Sequence, residues 1–308
     1  MAKPNVKNIV LPHSAAKLDM YRGYLLKYIQ ILVVSQRFNQ INLYDVFCGS
    51  GIYEDGKAGS PILAFDTVKE NREWCKNKNI SNPTSIRLCV NDIEKEKVEG
   101  VMHHIMSHEQ PLNCNFDFNN LTAIDFMSKI VNEVSTSGPG VRNLVFIDPY
   151  GYKDISSQTL SSLLLNGTTE IILFLPVSFI YRFSSAAQTQ NEVVQYEHLR
   201  TFIYSFFPEN HPIRRNEVKS PLDFIQNLKL AMSFSNNYYS ASYFIQRDKG
   251  NYFALFFMTS NLLGLEKFLK TKWELDPVKG EGYKMPELYP GLFDDFFIRL
   301  VAVGAPEP

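Results

Sequence analysis

Residues 41–51 read Ile-Asn-Leu-Tyr-Asp-Val-Phe-Cys-Gly-Ser-Gly, an apolar run that contains one acidic residue and passes directly into a glycine turn. The run from Ile41 to Phe47 is typical of a buried parallel strand, and Gly49 and Gly51 mark the turn that follows it. Glycines two apart let the backbone approach a nucleotide-like ligand closely, because a Cβ would clash there. The stretch therefore predicts a strand and a ligand-binding turn, with a tight turn that binds nothing as the alternative.

The same alternation of apolar runs and helical segments recurs on both sides of this stretch. A long amphipathic helix over residues 15–35, capped by Ser14, comes before it, and a helix over 62–76 comes after it. Four further strands are predicted, at residues 86–90, 114–118, 144–147 and 171–175. Alternating strands and helices are the signature of a parallel sheet covered on both faces.

The pattern changes after the fifth strand. Helices are predicted over residues 187–207 and 221–235, and then residues 238–246 and 252–259 face each other across a hairpin turn. One more helix follows, over 262–273. A dinucleotide-binding sheet normally ends parallel, so a terminal hairpin favours the methyltransferase variant of the doubly wound fold. The predicted fold class is thus α/β, with a Rossmann-like, mostly parallel sheet that ends in an antiparallel hairpin strand.

Composition and charge limit the kind of partner. The chain has 308 residues, with 31 Lys and Arg against 32 Asp and Glu, so that any site for a polyanion must be local. Four cysteines without a CxxC pair indicate neither a disulfide framework nor a zinc site and favour a reducing compartment. No apolar run approaches the roughly 18 residues of a membrane span, and we expect a cytoplasmic protein without a membrane partner. His104 and His108 lack a completing ligand, so no metal is predicted.

The absence of a third glycine after Gly49 and Gly51 bears on the ligand. A dinucleotide needs its pyrophosphate close to a helix N-terminus, which the full GxGxxG pattern provides. S-adenosylmethionine has no phosphate and tolerates a looser turn. The predicted cofactor is therefore S-adenosylmethionine, and an NAD-type oxidoreductase is disfavoured.

Acidic residues follow the first three strands. Asp45 would orient the ammonium group at the methionine end of the cofactor, and Gly49 and Gly51 would leave room for that end. Asp92 follows the second strand, where a carboxylate would receive the ribose hydroxyls, although it could instead cap the helix from Glu94. Asp125 lies at the helix start after the third strand and would meet the adenine, with a simple N-cap as its alternative.

The stretch Asp148-Pro149-Tyr150-Gly151 ends the fourth strand, at the centre of the predicted sheet. Ligands of such sheets lie outside the carboxyl ends of the strands. A carboxylate, rigid backbone carbonyls and an aromatic ring suffice to hold a planar nucleobase. If the oxygens accept both protons of the exocyclic amine, they aim the lone pair of the nitrogen at a sulfonium methyl. The alternative is an Asp-Pro turn that merely ends the strand.

These motifs resemble the class I S-adenosylmethionine-dependent methyltransferases and are most similar to the bacterial three-Cys-motif partner family. The matching positions cover most of the chain to about residue 275: His13, Lys17, residues 45–51, Gly59-Ser60-Pro61, Asp148-Pro149-Tyr150-Gly151, and residues 254–273 with Gly264-Leu265-Glu266. Cys48 stands where the family usually has Ala. Many members also carry a C-terminal winged-helix segment, for which the last 30 or so residues are too few.

The resemblance implies a methyltransferase-like domain over residues 1–275, with a helical insertion at about 178–236, and a short tail over 276–308. It implies a cofactor site that includes Phe47 and Cys48 with the glycines, and a partner protein with a three-cysteine cluster motif. The Asp148 tetrad is similar to the Asp-Pro-Phe-Gly turn of tRNA guanine-dimethylating enzymes and lacks the second proline of the adenine-N6 enzymes. Both groups of enzymes methylate exocyclic amines.

Two functional hypotheses follow. The first is a methyltransferase acting on an exocyclic amine of a nucleobase in nucleic acid, with Asp148, Pro149 and Tyr150 as catalytic residues. Its substrate-binding residues would be Gly151 and the basic patch Arg214, Arg215 and Lys219, for which ordinary solvation is the alternative. The second is a non-catalytic partner subunit that keeps the fold and docks to another protein in a modification or defence complex.

Overall fold

One sheet runs through the molecule. In the computed structural model, which describes residues 10–80, 84–189 and 193–284, this sheet has eight strands. In chain order they are β1 (Gln40–Asp45), β2 (Ser85–Asn91), β3 (Cys114–Asn119), β4 (Val141–Ile147), β5 (Thr169–Leu175), β6 (Tyr239–Asp248), β7 (Asn251–Thr259) and β8 (Gly282–Lys284). Their order in the sheet is β3-β2-β1-β4-β5-β7-β6-β8.

Strand directions confirm the predicted fold class. The strands β1 to β5 pair parallel with one another, whereas β7 pairs antiparallel with both β5 and β6. The chain is therefore a mostly parallel α/β sheet with an antiparallel hairpin. Between β1 and β4 the strand order reverses, and the crevice outside the carboxyl ends of these two strands is where such sheets bind ligands.

Helices cover both faces of the sheet. They are α1 (Pro12–Ser35), α2 (Ser60–Asn77), α3 (Lys95–Met106), α4 (Ala123–Thr136), α5 (Ser157–Leu164), α6 (Val177–Thr189), α7 (Glu197–Phe206), α8 (Pro221–Ala231) and α9 (Leu262–Leu275). Side chains of the central strands alternate between two buried clusters: Leu144 and Phe146 pack under α1 and α2, and Val145 and Ile147 under α4 and α5. In the described part of the chain, no helix is both long and apolar enough to cross a membrane.

The first helix begins earlier than predicted. It starts at Pro12, with Leu11 as the N-cap residue, and Ser14 lies inside the first turn instead of capping it. Proline is favoured at the first helical position, because its missing N–H would have no partner there and its φ is already helical. The proline thus outweighs the serine as a start signal.

The segment between β5 and β6 also differs from the prediction. The single helix expected over 187–207 is wrong: α6 begins at Val177, directly after Pro176, and α7 is a separate helix that follows a short 3₁₀ turn at Val194–Tyr196. The helix expected to reach residue 235 ends at Ala231, since residues 234–236 adopt positive φ.

The last described strand was not predicted. β8 pairs parallel with β6, and a Cβ at Gly282 would lie 2.2 Å from the Phe244 carbonyl oxygen, so that only glycine allows this close approach. Three residues are too few to give an alternating pattern. The rest of the predicted tail, residues 285–308, lies outside the described residues.

Candidate functional site

A cavity of about 490 Å³ lies in the crevice beyond β1 and β4. Its walls are the start of α1, the loop over residues 47–53, the start of α2, and the turn over residues 148–150. The fold thus brings together seven of the predicted site residues: Phe47, Cys48, Gly49, Gly51, Asp148, Pro149 and Tyr150. The volume lies in the range of small-molecule sites.

The glycine turn forms one wall of this cavity. Gly49 and Gly51 both have positive φ, of 58° and 75°, which favours glycine at each position. At Gly51 space is also limiting, because a Cβ would lie 2.7 Å from Val101 Cγ2. At Gly49, by contrast, no described atom lies within 4 Å of a Cβ position. The backbone there faces open space that a ligand could occupy.

Asp45 lies at the end of β1, just before the glycine turn in sequence; it has no exposed surface and is not among the residues that line the cavity. Within the described part of the chain, neither oxygen of its carboxylate has a hydrogen-bond partner. Burial raises the pKa of Asp45 to about 7. The nearby Ser60 hydroxyl and Phe47 amide lower this pKa in part, without meeting the geometry of a hydrogen bond. The charge of Lys17 also lowers the pKa, whereas the charge of Asp148 adds to the increase. A buried carboxylate without a donor is costly, which indicates a missing cationic partner.

Asp148 is held by a residue of α1. The Lys17 ammonium donates to Asp148 Oδ2, and it lies 5.0 Å from the centre of the Phe174 ring. Burial is the largest influence and would lower the pKa of Lys17, but the charge and hydrogen bond of Asp148, together with Tyr53 and the charge of Asp45, outweigh it and the pKa is raised. The pair is charged and joins α1 to the strand end.

Lys17 and Lys97 were not predicted as site residues from their local sequence. Lys17 lies between Ala16 and Leu18, both buried, and a lysine at a buried position of an amphipathic helix is the signal that could have identified it. Lys97 of α3 donates to the Tyr150 hydroxyl at 3.1 Å and lies 5.3 Å from the centre of its ring. The Tyr150 side chain, 87% exposed, therefore contacts α3 at the mouth of the cavity.

Asp92 and Asp125 do not line the cavity. Asp92 is buried and accepts from the amides of Gly49, at 3.1 Å, and Glu94, at 2.9 Å, so that it links β2 to the glycine turn and to the start of α3. Asp125 is exposed, and the N-cap of α4 is Thr122, whose hydroxyl accepts from the Asp125 amide at 3.1 Å.

The predicted substrate-binding residues also lie outside the cavity wall. Gly151 is half-buried beside Tyr150. Arg214, Arg215 and Lys219 belong to the segment between α7 and α8, where the Arg214 guanidinium stacks 3.9 Å from the centre of the Tyr204 ring. No group of three or more metal-ligating side chains is found among residues 10–80, 84–189 and 193–284.

Comparison with known proteins gives distant structural similarity only. No family model and no curated protein matches the chain. Trm1 from Pyrococcus horikoshii, solved with S-adenosyl-L-methionine, is 10% identical with a TM-score of 0.42, and the alignment covers 87% of this chain and 61% of that one. The chain thus spans less than two thirds of the length of this Trm1.

Two further solved structures are similar. The O-methyltransferase TomG from Streptomyces achromogenes, in complex with SAM, is 12% identical with a TM-score of 0.35, and the alignment covers 78% of this chain and 80% of that one. A protein from Listeria monocytogenes, described as a class I S-adenosylmethionine-dependent methyltransferase, is 8% identical with a TM-score of 0.35, and the alignment covers 82% and 64%. Such identities carry no residue-by-residue correspondence, so residue roles depend on the geometry of this chain.

Proposed function

We propose that this chain binds S-adenosylmethionine in the cavity beyond β1 and β4 and methylates an exocyclic amine of a nucleobase in nucleic acid. The observation that carries the proposal is the buried carboxylate of Asp45, which has no donor among the described residues and comes just before the glycine turn in sequence. A carboxylate in this state favours a cation. S-adenosylmethionine offers an ammonium and a sulfonium group, whereas a dinucleotide offers phosphates to the same turn.

The residues of the cavity divide between the two ligands. Asp45 would hold the ammonium of the cofactor, and the open backbone at Gly49 would receive its methionine end together with Phe47 and Cys48. Asp92, hydrogen-bonded to Gly49, is proposed for the ribose. Asp125 is proposed for the adenine end, beyond the carboxyl end of β3.

The opposite wall would hold the acceptor. When bound, the cofactor would supply a sulfonium methyl: the amine lone pair would form a bond to the methyl carbon, the methyl–sulfur bond would break with its electron pair going to sulfur, and the nitrogen would then lose a proton to water. Lys17 occupies Asp148 Oδ2 and keeps the carboxylate in place, so the amine would donate to Oδ1. Pro149 and Tyr150 would position the base, because a rigid turn and a ring restrict its orientation.

Calorimetric titration with S-adenosylhomocysteine tests the cofactor site, because this product keeps the ammonium group. Wild-type protein and Asp66→Asn, a change at an exposed aspartate of α2, are expected to bind, and Asp45→Asn to bind more weakly. No heat from folded wild-type protein would contradict the cofactor proposal.

Transfer of labelled methyl groups to total tRNA and to DNA tests the acceptor site. Asp148→Asn keeps an oxygen for Lys17 and is expected to bind the cofactor, but to lose transfer by about 100-fold, because misplacing an acceptor by about 1 Å costs about that much. If this variant transfers methyl groups like the wild type, the proposed role of Asp148 in holding the acceptor amine is wrong.

The proposal has two further parts. Gly151, Arg214, Arg215 and Lys219 would contact the nucleic acid, and the protein would be located in the cytoplasm.

One observation favours the second candidate, a non-catalytic subunit that docks to a partner such as a protein with a three-cysteine cluster. Asp148 is already paired with a buried lysine, so the ligand-free site is neutralised where an acceptor would bind. Purification of a stable complex with such a partner, together with no methyl transfer to RNA, DNA or protein pools, would support this candidate over the enzyme.

A further inference from the structure

A row of aromatic side chains extends from the turn that carries Asp148 onto the helices between β5 and β6. Tyr152 lies 6.1 Å from Phe179 of α6, measured between ring centres, and Phe179 lies 4.9 Å from Phe183. Phe183 in turn lies 6.3 Å from Tyr196, at an interplanar angle of 29°. These four residues are called the aromatic row below.

The aromatic row is anchored on one side and open on the other. Tyr152 packs 5.7 Å from the buried ring of Phe202, which ties the row to the core. Phe179 is nevertheless 49% exposed, and the other three rings are half-buried. Isolated exposed apolar side chains are normal, but a contiguous exposed patch indicates an interaction surface.

The row begins next to the candidate active site in sequence, although none of its rings lines the cavity. Tyr152 follows two residues after Tyr150, whose ring lies at the mouth of the cavity. A single strand of nucleic acid with one base in the cavity would therefore have the neighbouring bases near these rings.

The charge of the surface is compatible with a polyanion. α6 carries no acidic residue, and its one charged side chain, Arg182, is exposed between Phe179 and Phe183 in the sequence. Lys153 is exposed next to Tyr152. The acidic residues adjacent to the row in sequence, Asp154 and Glu197, lie near its two ends.

We propose that the aromatic row is a stacking surface for the unpaired bases that flank the target base, so that the substrate is single-stranded nucleic acid and not a free nucleoside. This inference rests on the proposed methylation of a nucleobase. Stacking on aromatic side chains is tolerant of sequence, because every base has a π face, and basic side chains along such a row contact the backbone. The partly exposed, continuous row of rings, with Arg182 and Lys153 beside it, offers both features.

Fluorescence anisotropy with the full chain and labelled 12-nucleotide strands, one of RNA and one of DNA, tests the surface directly. Phe179→Ala and Phe183→Ala are each expected to weaken binding about fivefold to tenfold, the lower part of the range for one base stacked on a ring. Tyr239→Ala is the matched control. This ring is 44% exposed at the start of β6, level with the amino end of β5 and so at the opposite end of the strands from the cavity. A duplex of the same sequence is expected to bind more weakly than the single strand.

The outcomes separate this inference from the proposed function. If wild-type protein binds S-adenosylhomocysteine and methylates the strand, while Phe179→Ala and Phe183→Ala bind the strand like Tyr239→Ala, the stacking surface is wrong and the proposed function stands. If wild-type protein binds S-adenosylhomocysteine but no strand, both the stacking surface and the nucleic-acid acceptor are wrong. Loss of a co-purifying protein from the row variants, with strand binding unchanged, would instead identify a protein-docking surface.

Discussion

Asp45→Asn removes the charge of a carboxylate that the ligand-free fold buries without a donor in the described chain. The pKa of Asp45 rises from an ordinary 3.8 to about 7 through burial. At about 1.4 kcal/mol per pKa unit, ionised Asp45 costs the folded state about 4 kcal/mol above pH 7. An asparagine left partly unpaired costs about 1–3 kcal/mol. We therefore expect the variant to be more stable than wild type at pH 8, by about 1–3 kcal/mol.

The sign of the pH dependence follows from the direction of this shift. Between about pH 4 and pH 7 the folded state keeps a proton on Asp45 that the unfolded state has released, so this group lowers stability as the pH rises and has no further effect above pH 7. The stability of Asp45→Asn relative to wild type should thus grow by about 3 kcal/mol between pH 5 and pH 8. Other groups, such as Glu170, titrate in both proteins and cancel in this difference.

Urea denaturation of both proteins at the two pH values measures the difference, and titration with S-adenosylhomocysteine measures its functional counterpart. A cation beside Asp45 lowers its pKa, so wild-type affinity should rise with pH up to about 7, by no more than about tenfold per unit. Asp45→Asn should bind about 10- to 100-fold more weakly, the loss of one charge-assisted hydrogen bond, and without this pH dependence. A relative stability that does not change with pH, or wild-type affinity in the variant, would refute the reasoning.

Two further changes test buried contacts, one at the amino end of β5, away from the cavity, and one in the cavity wall. Gly264→Ala should lower the free energy of unfolding, measured in urea, by about 1–3 kcal/mol, because the new Cβ would lie 2.2 Å from Glu170 Oε1. The control Gly100→Ala, where no described atom lies within 4 Å of the new Cβ, should be neutral or slightly stabilising. Equal effects of the two substitutions would contradict the predicted clash. Lys17→Met should lower the free energy of unfolding by about 3 kcal/mol, because Asp148 is left without its cation. The double variant Lys17→Met/Asp148→Asn should recover part of this loss of stability. If the losses of the two single variants simply add, the ion pair is not the cause.

The fold could be predicted from local patterns because burial on a regular sheet has a short period. The apolar run before Gly49 and the run before Asp148 each identify a strand, and the two strands pair in the centre of the sheet. The terminal hairpin was likewise evident from two apolar runs across a turn. Elements without such a period, such as the three-residue β8, gave no local signal.

The site could be predicted only where its residues follow strand ends. Asp148 and Tyr150 line the cavity because they come directly after β4. The partner of Asp148 is Lys17, 131 residues earlier in the chain, and no local pattern reports a contact at that separation. Asp92 follows β2 as expected, but its carboxylate bonds the backbone of the glycine turn, since a buried acid takes whichever donors the folded loops supply.

A group of charges in and beside the cavity explains why the near-zero net charge of the chain is compatible with a charged ligand. Asp45, Asp148 and Lys17 interact with one another and together carry one negative charge when Asp45 is ionised. S-adenosylmethionine carries an ammonium, a carboxylate and a sulfonium, and hence one positive charge, so that its binding would neutralise the group. Methyl transfer would remove the sulfonium charge and restore the imbalance, which weakens the hold on the product. The ammonium of the product would still pair with Asp45, so the discrimination between cofactor and product would come from the lost sulfonium charge and not from this contact.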